Sequence, residues 1–168
     1  MTSLFLKQKL FSWKDHFTVK GDYEEDRYTV EGEFFSFGKK LHVYDMTGNE
    51  VAYIHQKVWS FRPRFFVFVR GVQVAEVVKE FTFLKPRYTI HGLGWEVAGD
   101  YFGHDYEISS EGRTVVRVHK VWMTWGDSYA IDVLDNRDEI NALAVVLAID
   151  AVLAMEASSA ASASSSSN

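Results

Sequence analysis

Seven basic residues, Lys14, Lys39, Lys40, Arg62, Arg64, Lys85 and Arg87, fall in or beside short turns that follow aromatic-rich segments. Ammonium and guanidinium groups in such a cluster can hold anionic phospholipid or phosphoinositide head groups, at about 1 kcal/mol each near a membrane surface. Trp13, Phe37 and Phe61 lie close by and supply rings suited to the interface. The acids Asp22, Glu24, Glu25, Asp26, Asp45 and Glu50 occupy intervening turns. In an up-and-down meander alternate turns share one end, so this spacing predicts a barrel with one basic and one acidic end. The plainer explanation is that charged turns keep the molecule soluble and its strands from pairing with other chains.

Asp150 is a second candidate, because it interrupts an otherwise apolar run. A buried acid must be paired, hydrogen-bonded or neutral. It either serves a site at a barrel mouth or is a core acid satisfied by a Tyr, Trp, His or backbone donor. The six histidines, 16, 42, 55, 91, 104 and 119, are dispersed. His42 and His55 flank the Thr47-Gly48 hairpin, but two imidazoles do not complete a metal site and no HExxH is present. His104-Asp105 reads as a turn pair. The absence of Cys removes disulfides and thiolate chemistry. There is no G-x-S-x-G elbow, P-loop, dinucleotide fingerprint or EF-hand spacing, and Met46 breaks the only Asp-Thr-Gly-like triplet. The expectation is a non-enzyme without metal or cofactor.

The element that must organise these groups is Glu139 to Met155, an Ala, Leu, Val and Ile run with Asn136 and Glu139 spaced as a capping box. A helix apolar on all sides lies in a core or a membrane. This one is short of the roughly 20 apolar residues of a span and carries an acid, so the core is expected and no transmembrane segment. Before it an aromatic-turn pattern repeats, each copy followed by a large apolar residue, one residue, and Val or Ile: Phe17 and Val19, Leu41 and Val43, Phe65 and Val67, Tyr88 and Ile90, Tyr106 and Ile108, Tyr129 and Ile131. Six hairpins in series give about twelve short strands. A barrel of that number is too wide to fill with its own side chains, and the helix is the filler, meeting the wall through Leu143, Val146, Leu147, Ile149 and Leu153. The fold class is therefore mainly β, a closed antiparallel barrel of about twelve strands enclosing a central hydrophobic C-terminal helix. One domain is expected over 1–156, with a disordered Ala/Ser-rich tail over 157–168. The net charge of -5 argues against a nucleic-acid partner. The opening residues lack the features of a signal peptide, so a cytoplasmic location is expected, peripheral at the membrane where lipid is bound.

KQKLFSWKD (7–15), KLHVYDMTGNEVAYI (40–54), VAEVVKEFTFLKPRY (74–88), GLGWEVAGDYFGHDYEI (92–108) and AVVLAIDAVL (144–153) together resemble the LURP-one-related family of the Tubby C-terminal-like superfamily, to which phospholipid scramblases are related. The resemblance implies a barrel threaded by its last helix and no catalytic residue. Tubby binds phosphoinositides, which agrees with the basic-end reading. Scramblases carry an acidic calcium segment, and Asp127 and Asp138 fall near two of its positions, whereas Trp125 stands where its first acid would be. Turn and cap roles are the preferred account of those acids. The functional expectation is a binding module for anionic lipid, with a protein-interaction or adaptor domain as the alternative.

Overall fold

The computed structural model describes residues 1–7, 16–33, 38–80, 87–124 and 126–165. Twelve strands run in chain order: β1 Thr2–Lys7, β2 His16–Lys20, β3 Asp26–Gly32, β4 Lys40–Asp45, β5 Glu50–Gln56, β6 Arg64–Val69, β7 Val72–Glu80, β8 Arg87–His91, β9 Trp95–Asp100, β10 Asp105–Ser110, β11 Arg113–Met123 and β12 Gly126–Val133. Each pairs antiparallel with its neighbour in sequence, and β1 pairs with β12 to close the barrel. The meander is thus simple, and its connections alternate between two mouths.

Period-two alternation builds the wall. The inward pairs are the expected ones: Phe17 and Val19, Leu41 and Val43, Phe65 and Val67, Tyr88 and Ile90, Tyr106 and Ile108, and Tyr129 and Ile131 are all buried. The aromatics ahead of the turns behave differently. Trp59, Phe61, Phe102 and Trp122 are exposed, because they stand at or beyond the strand ends where alternation no longer faces them inward. Ten of the twelve junctions are extended ladders. Among the described residues β1 meets β2 only at Phe5 and Lys20, and β8 meets β9 only at Thr89 and Glu96.

The interior is filled by helix α1, Glu139–Ser165, preceded by a 3-10 turn at Asn136–Asp138. Leu143, Val146, Leu147 and Ile149 are buried, and Leu153 packs at the edge of the same core. The helix is long and apolar enough to cross a membrane by composition, but its apolar turns are consumed by the barrel, chiefly β5, β6, β7 and β12. One local expectation is corrected. The cap is Asp135, whose side chain accepts from the Arg137 amide at 3.0 Å, because Glu139 is drawn to partners on the wall instead of back to Asn136. Helix α1 extends into the Ala/Ser segment, as far as Ser165. Alanine is the best helix former, so a helix already nucleated in the core propagates through it.

Candidate functional site at the two barrel mouths

The helix defines the mouths. It starts beside β3, where Glu139 meets Tyr28, and leaves beside the end of β7, where Glu156 pairs with Lys79. Around the exit mouth lie the connections that follow odd-numbered strands. They carry Trp59 at 91% and Phe61 at 92% exposure, Phe102 at 57%, and, at the end of β11, Trp122 at 80%. Five of the seven expected basic residues are described, and Lys14 and Lys85 lie outside the described residues. Lys39 is half-buried, and burial holds its ammonium down at about 8. Lys40 pairs with Glu33 at 2.8 Å, Arg62 with Glu80, and Arg64 with Glu76 at 2.6 Å. Glu76 stands opposite Phe66 in the ladder, diagonal to Arg64 on the outer wall. Arg87 is exposed, and Lys57, which the sequence did not single out, extends over the Phe66 ring at 5.7 Å. The five described basic residues therefore share one mouth, but glutamates on or beside adjoining strands offset three of them.

Beneath this rim the wall buries a polar cluster. Tyr129 donates to Asp150 Oδ2 at 2.5 Å, and His104 Nε2 stands 3.3 Å from Oδ1. His104 stacks on Tyr129 with ring centroids 4.4 Å apart. Its left-handed backbone, φ 49°, turns it inward from the β9–β10 connection, so it is more than a turn residue. Tyr88, Tyr101 and Tyr106 continue the cluster ring against ring, at 4.6 Å and 5.6 Å. Gly99 permits the close approach of β9 and β10 here: its φ is 135°, and a Cβ would fall 2.6 Å from Tyr106 Cα. Asp150 Oδ1, Tyr88 OH, Tyr106 OH and His104 Nδ1 are buried with no hydrogen-bond partner among the described residues. Burial, with the Asp150 charge adding to it, pushes the Tyr106 and Tyr129 hydroxyls far above their usual range.

At the start mouth a second polar group is completely paired. Tyr28 OH donates to Glu139 Oε1 at 2.5 Å, and Arg27 donates through Nε at 3.0 Å and Nη2 at 3.2 Å. Above it opens a cleft of about 540 Å³ lined by Arg27, Arg70, Arg137, Asn136, Asn141 and Glu139, among others. Asp127 and Asp138 do not meet, since they sit at opposite ends of β12. Among the described residues no group of three or more potential ligands is placed to hold a metal. His42 and His55 lie on adjoining strands, with the Tyr53 ring between them at 4.8 Å and 5.3 Å.

The sequence pattern of the LURP-one-related family matches residues 2–150, which covers every strand and the helix as far as Asp150. The chain belongs to the LURP-one-related family. An uncharacterised protein of Bacillus subtilis (strain 168), YxjI, is 37% identical over 152 residues, covering 90% of this chain and 94% of its own. The X-ray structure of an Arabidopsis thaliana protein shares the fold, with a TM-score of 0.65 at 16% identity over 90% of each chain. Within this LURP-one-related barrel, sequence reasoning located the exit-mouth cations and the buried Asp150. It missed the arginines of the start-mouth cleft, because Arg27, Arg70 and Arg137 carry no local motif. Their only signal is position in or beside the turns that join predicted elements.

Proposed function

We propose that this LURP-one-related chain is a non-enzymatic binding module of the cytoplasm that docks on anionic phospholipid surfaces through the exit mouth of its barrel. The observation that carries the reading is the set of large rings at that mouth: Trp59, Phe61, Phe102 and Trp122 are all exposed on a soluble surface. Such rings suit the membrane–water boundary, where an apolar body and a polar edge are both accommodated. The cations beside them add attraction to anionic head groups. Because Lys40, Arg62 and Arg64 are already paired with glutamates, the aromatic contribution is the larger one. The plugged interior supports a binding rather than a catalytic role, since the bore holds Leu143, Val146 and Leu147 in place of a substrate pocket.

Co-sedimentation with vesicles tests the proposal. Vesicles containing phosphatidylglycerol should retain the protein more strongly than neutral vesicles, and the Trp59→Ser/Phe61→Ser variant should remain in solution. Equal binding to neutral and anionic vesicles, or undiminished binding by that variant, would overturn it. The adaptor alternative has one feature in its favour. His42, Tyr53, His55, Phe66 and Phe68 form a continuous aromatic face on the outer wall. Closure leaves no edge strand for a partner to extend, so an adaptor would have to use that face or a loop.

A further inference from the structure

We propose that the start-mouth cleft is a site for a compact phosphorylated polyol, its phosphate held by Arg27, Arg70 and Arg137 and its hydroxyls by Asn136 and Asn141. The cleft lies at the opposite end from the aromatic rim, so this site is independent of membrane docking. Its volume, about 540 Å³, is within the range of small-molecule sites.

The charge arrangement selects the ligand. Three guanidinium groups line the cleft, and Glu139 is its one lining carboxylate. That carboxylate is occupied: Oε1 accepts from Tyr28 and Arg27, and Oε2 accepts from Arg27. Arg27 is thereby gripped along Nε and Nη2, and Asp135 grips Arg137 along the same edge, at 3.0 Å for Nε and 2.5 Å for Nη2. Among the described residues neither Nη1 group has a hydrogen-bond partner, and the Arg70 side chain has no ion pair. Buried Glu139 therefore braces the Arg27 fork before a ligand arrives, which lowers the ordering cost of binding, while the Arg137 side chain, 89% exposed, is steered only by its surface pair with Asp135. Arg70 is set by a tight turn: it and Gly71 have φ of 50° and 78°, the left-handed pair of a two-residue hairpin.

Three guanidinium groups suit a tetrahedral dianion with several acceptor oxygens better than a carboxylate, which one fork can saturate. Asp22, Glu25, Asp45 and Glu50 lie on connections or strand ends at the same mouth. They repel an extended polyanion such as nucleic acid while leaving room for a small one. Carboxamides beside the arginines both donate and accept, which is what sugar or glycerol hydroxyls require.

The same chemistry occurs in a soluble metabolite and in a glycerophospholipid head group, and titration of the full chain separates them. Glycerol phosphate should give saturable one-to-one heat by calorimetry, inorganic phosphate a weaker response, and glycerol none. Arg70→Asn, which tolerates the left-handed backbone, and Arg137→Gln should each weaken glycerol phosphate at least about tenfold without moving the melting temperature. Asn141→Ala should weaken glycerol phosphate but not inorganic phosphate. If only phosphatidylglycerol vesicles bind, and binding is lost in Arg70→Asn/Arg137→Gln but kept in Trp59→Ser/Phe61→Ser, the site takes the lipid form of the ligand. Absence of both responses at about 10 mM ligand, or identical affinity in the double arginine variant, would overturn the assignment.

Discussion

At the start mouth Glu139 accepts three hydrogen bonds from Tyr28 and Arg27, and both of its oxygens are used. Asp150, near the exit mouth, accepts one from Tyr129, while its other oxygen faces His104 without hydrogen-bond geometry. Both acids are on one helix and both are buried, at 5% and 3% exposure, so burial does not distinguish them. The difference is completeness. A buried carboxylate with both oxygens engaged fixes helix to wall, whereas one left partly unmatched keeps its surroundings polar and rearrangeable. The helix is thus fastened where it begins and held more loosely where it leaves, beside the aromatic rim.

Removing the helix is the most severe way to break this contrast. Truncation before Ala142 should abolish the cooperative melt and leave an aggregating chain, because the wall would enclose a void lined by Val30, Val43, Ile54 and Val67. A soluble truncation with a sharp calorimetric transition would contradict the account of the core. Next comes Glu139→Ala, which strands Tyr28 and Arg27 and should cost about 3 kcal/mol in urea denaturation. Asp150→Asn keeps the shape and removes a charge that was only partly matched, so its cost should be smaller, about 1 kcal/mol. Equal losses at the two positions would erase the distinction between the mouths. Trp59→Ser/Phe61→Ser should alter stability by less than about 0.5 kcal/mol while abolishing vesicle binding, the signature of a surface contact.

The smallest effect is a pH dependence. Burial lowers the Lys39 pKa to about 8 from its ordinary 10.5. Between those values the unfolded chain carries the proton more often, so this group makes stability rise with pH across that window. Lipid attraction runs the other way: the Lys39 charge is present below about 8 and lost above it. Binding to anionic vesicles should weaken modestly as pH passes from 7 to 9, and Lys39→Arg should flatten the profile. A wild-type profile that is already flat would remove Lys39 from the docking surface.

The wall was legible in the sequence because alternation is local. Tyr129 and Ile131, like Phe17 and Val19, announce their inward direction by spacing alone. The helix was legible because its composition admits few alternatives. The direction of the loop aromatics was not legible, since a turn has no period to reveal which way Trp59 or Phe102 points. The start-mouth cleft was invisible for a different reason. Arg27 and Glu139 are 112 positions apart, and only closure of the barrel brings them together. Ion pairing was hidden too: the cations of the exit mouth could be counted, but their glutamate neighbours on adjoining strands depend on register.

The two junctions that are thin among the described residues have a mechanical consequence. They divide the wall into two half-shells, β2 to β8 on one side and β9 to β12 with β1 on the other, clasped about a common rod. Deuterium should invade the amides near Phe5, Lys20, Thr89 and Glu96 before it reaches the long ladders. The rod meets both halves, through β5, β6 and β7 on one side and β12 on the other, so it bridges the seams as a keystone does.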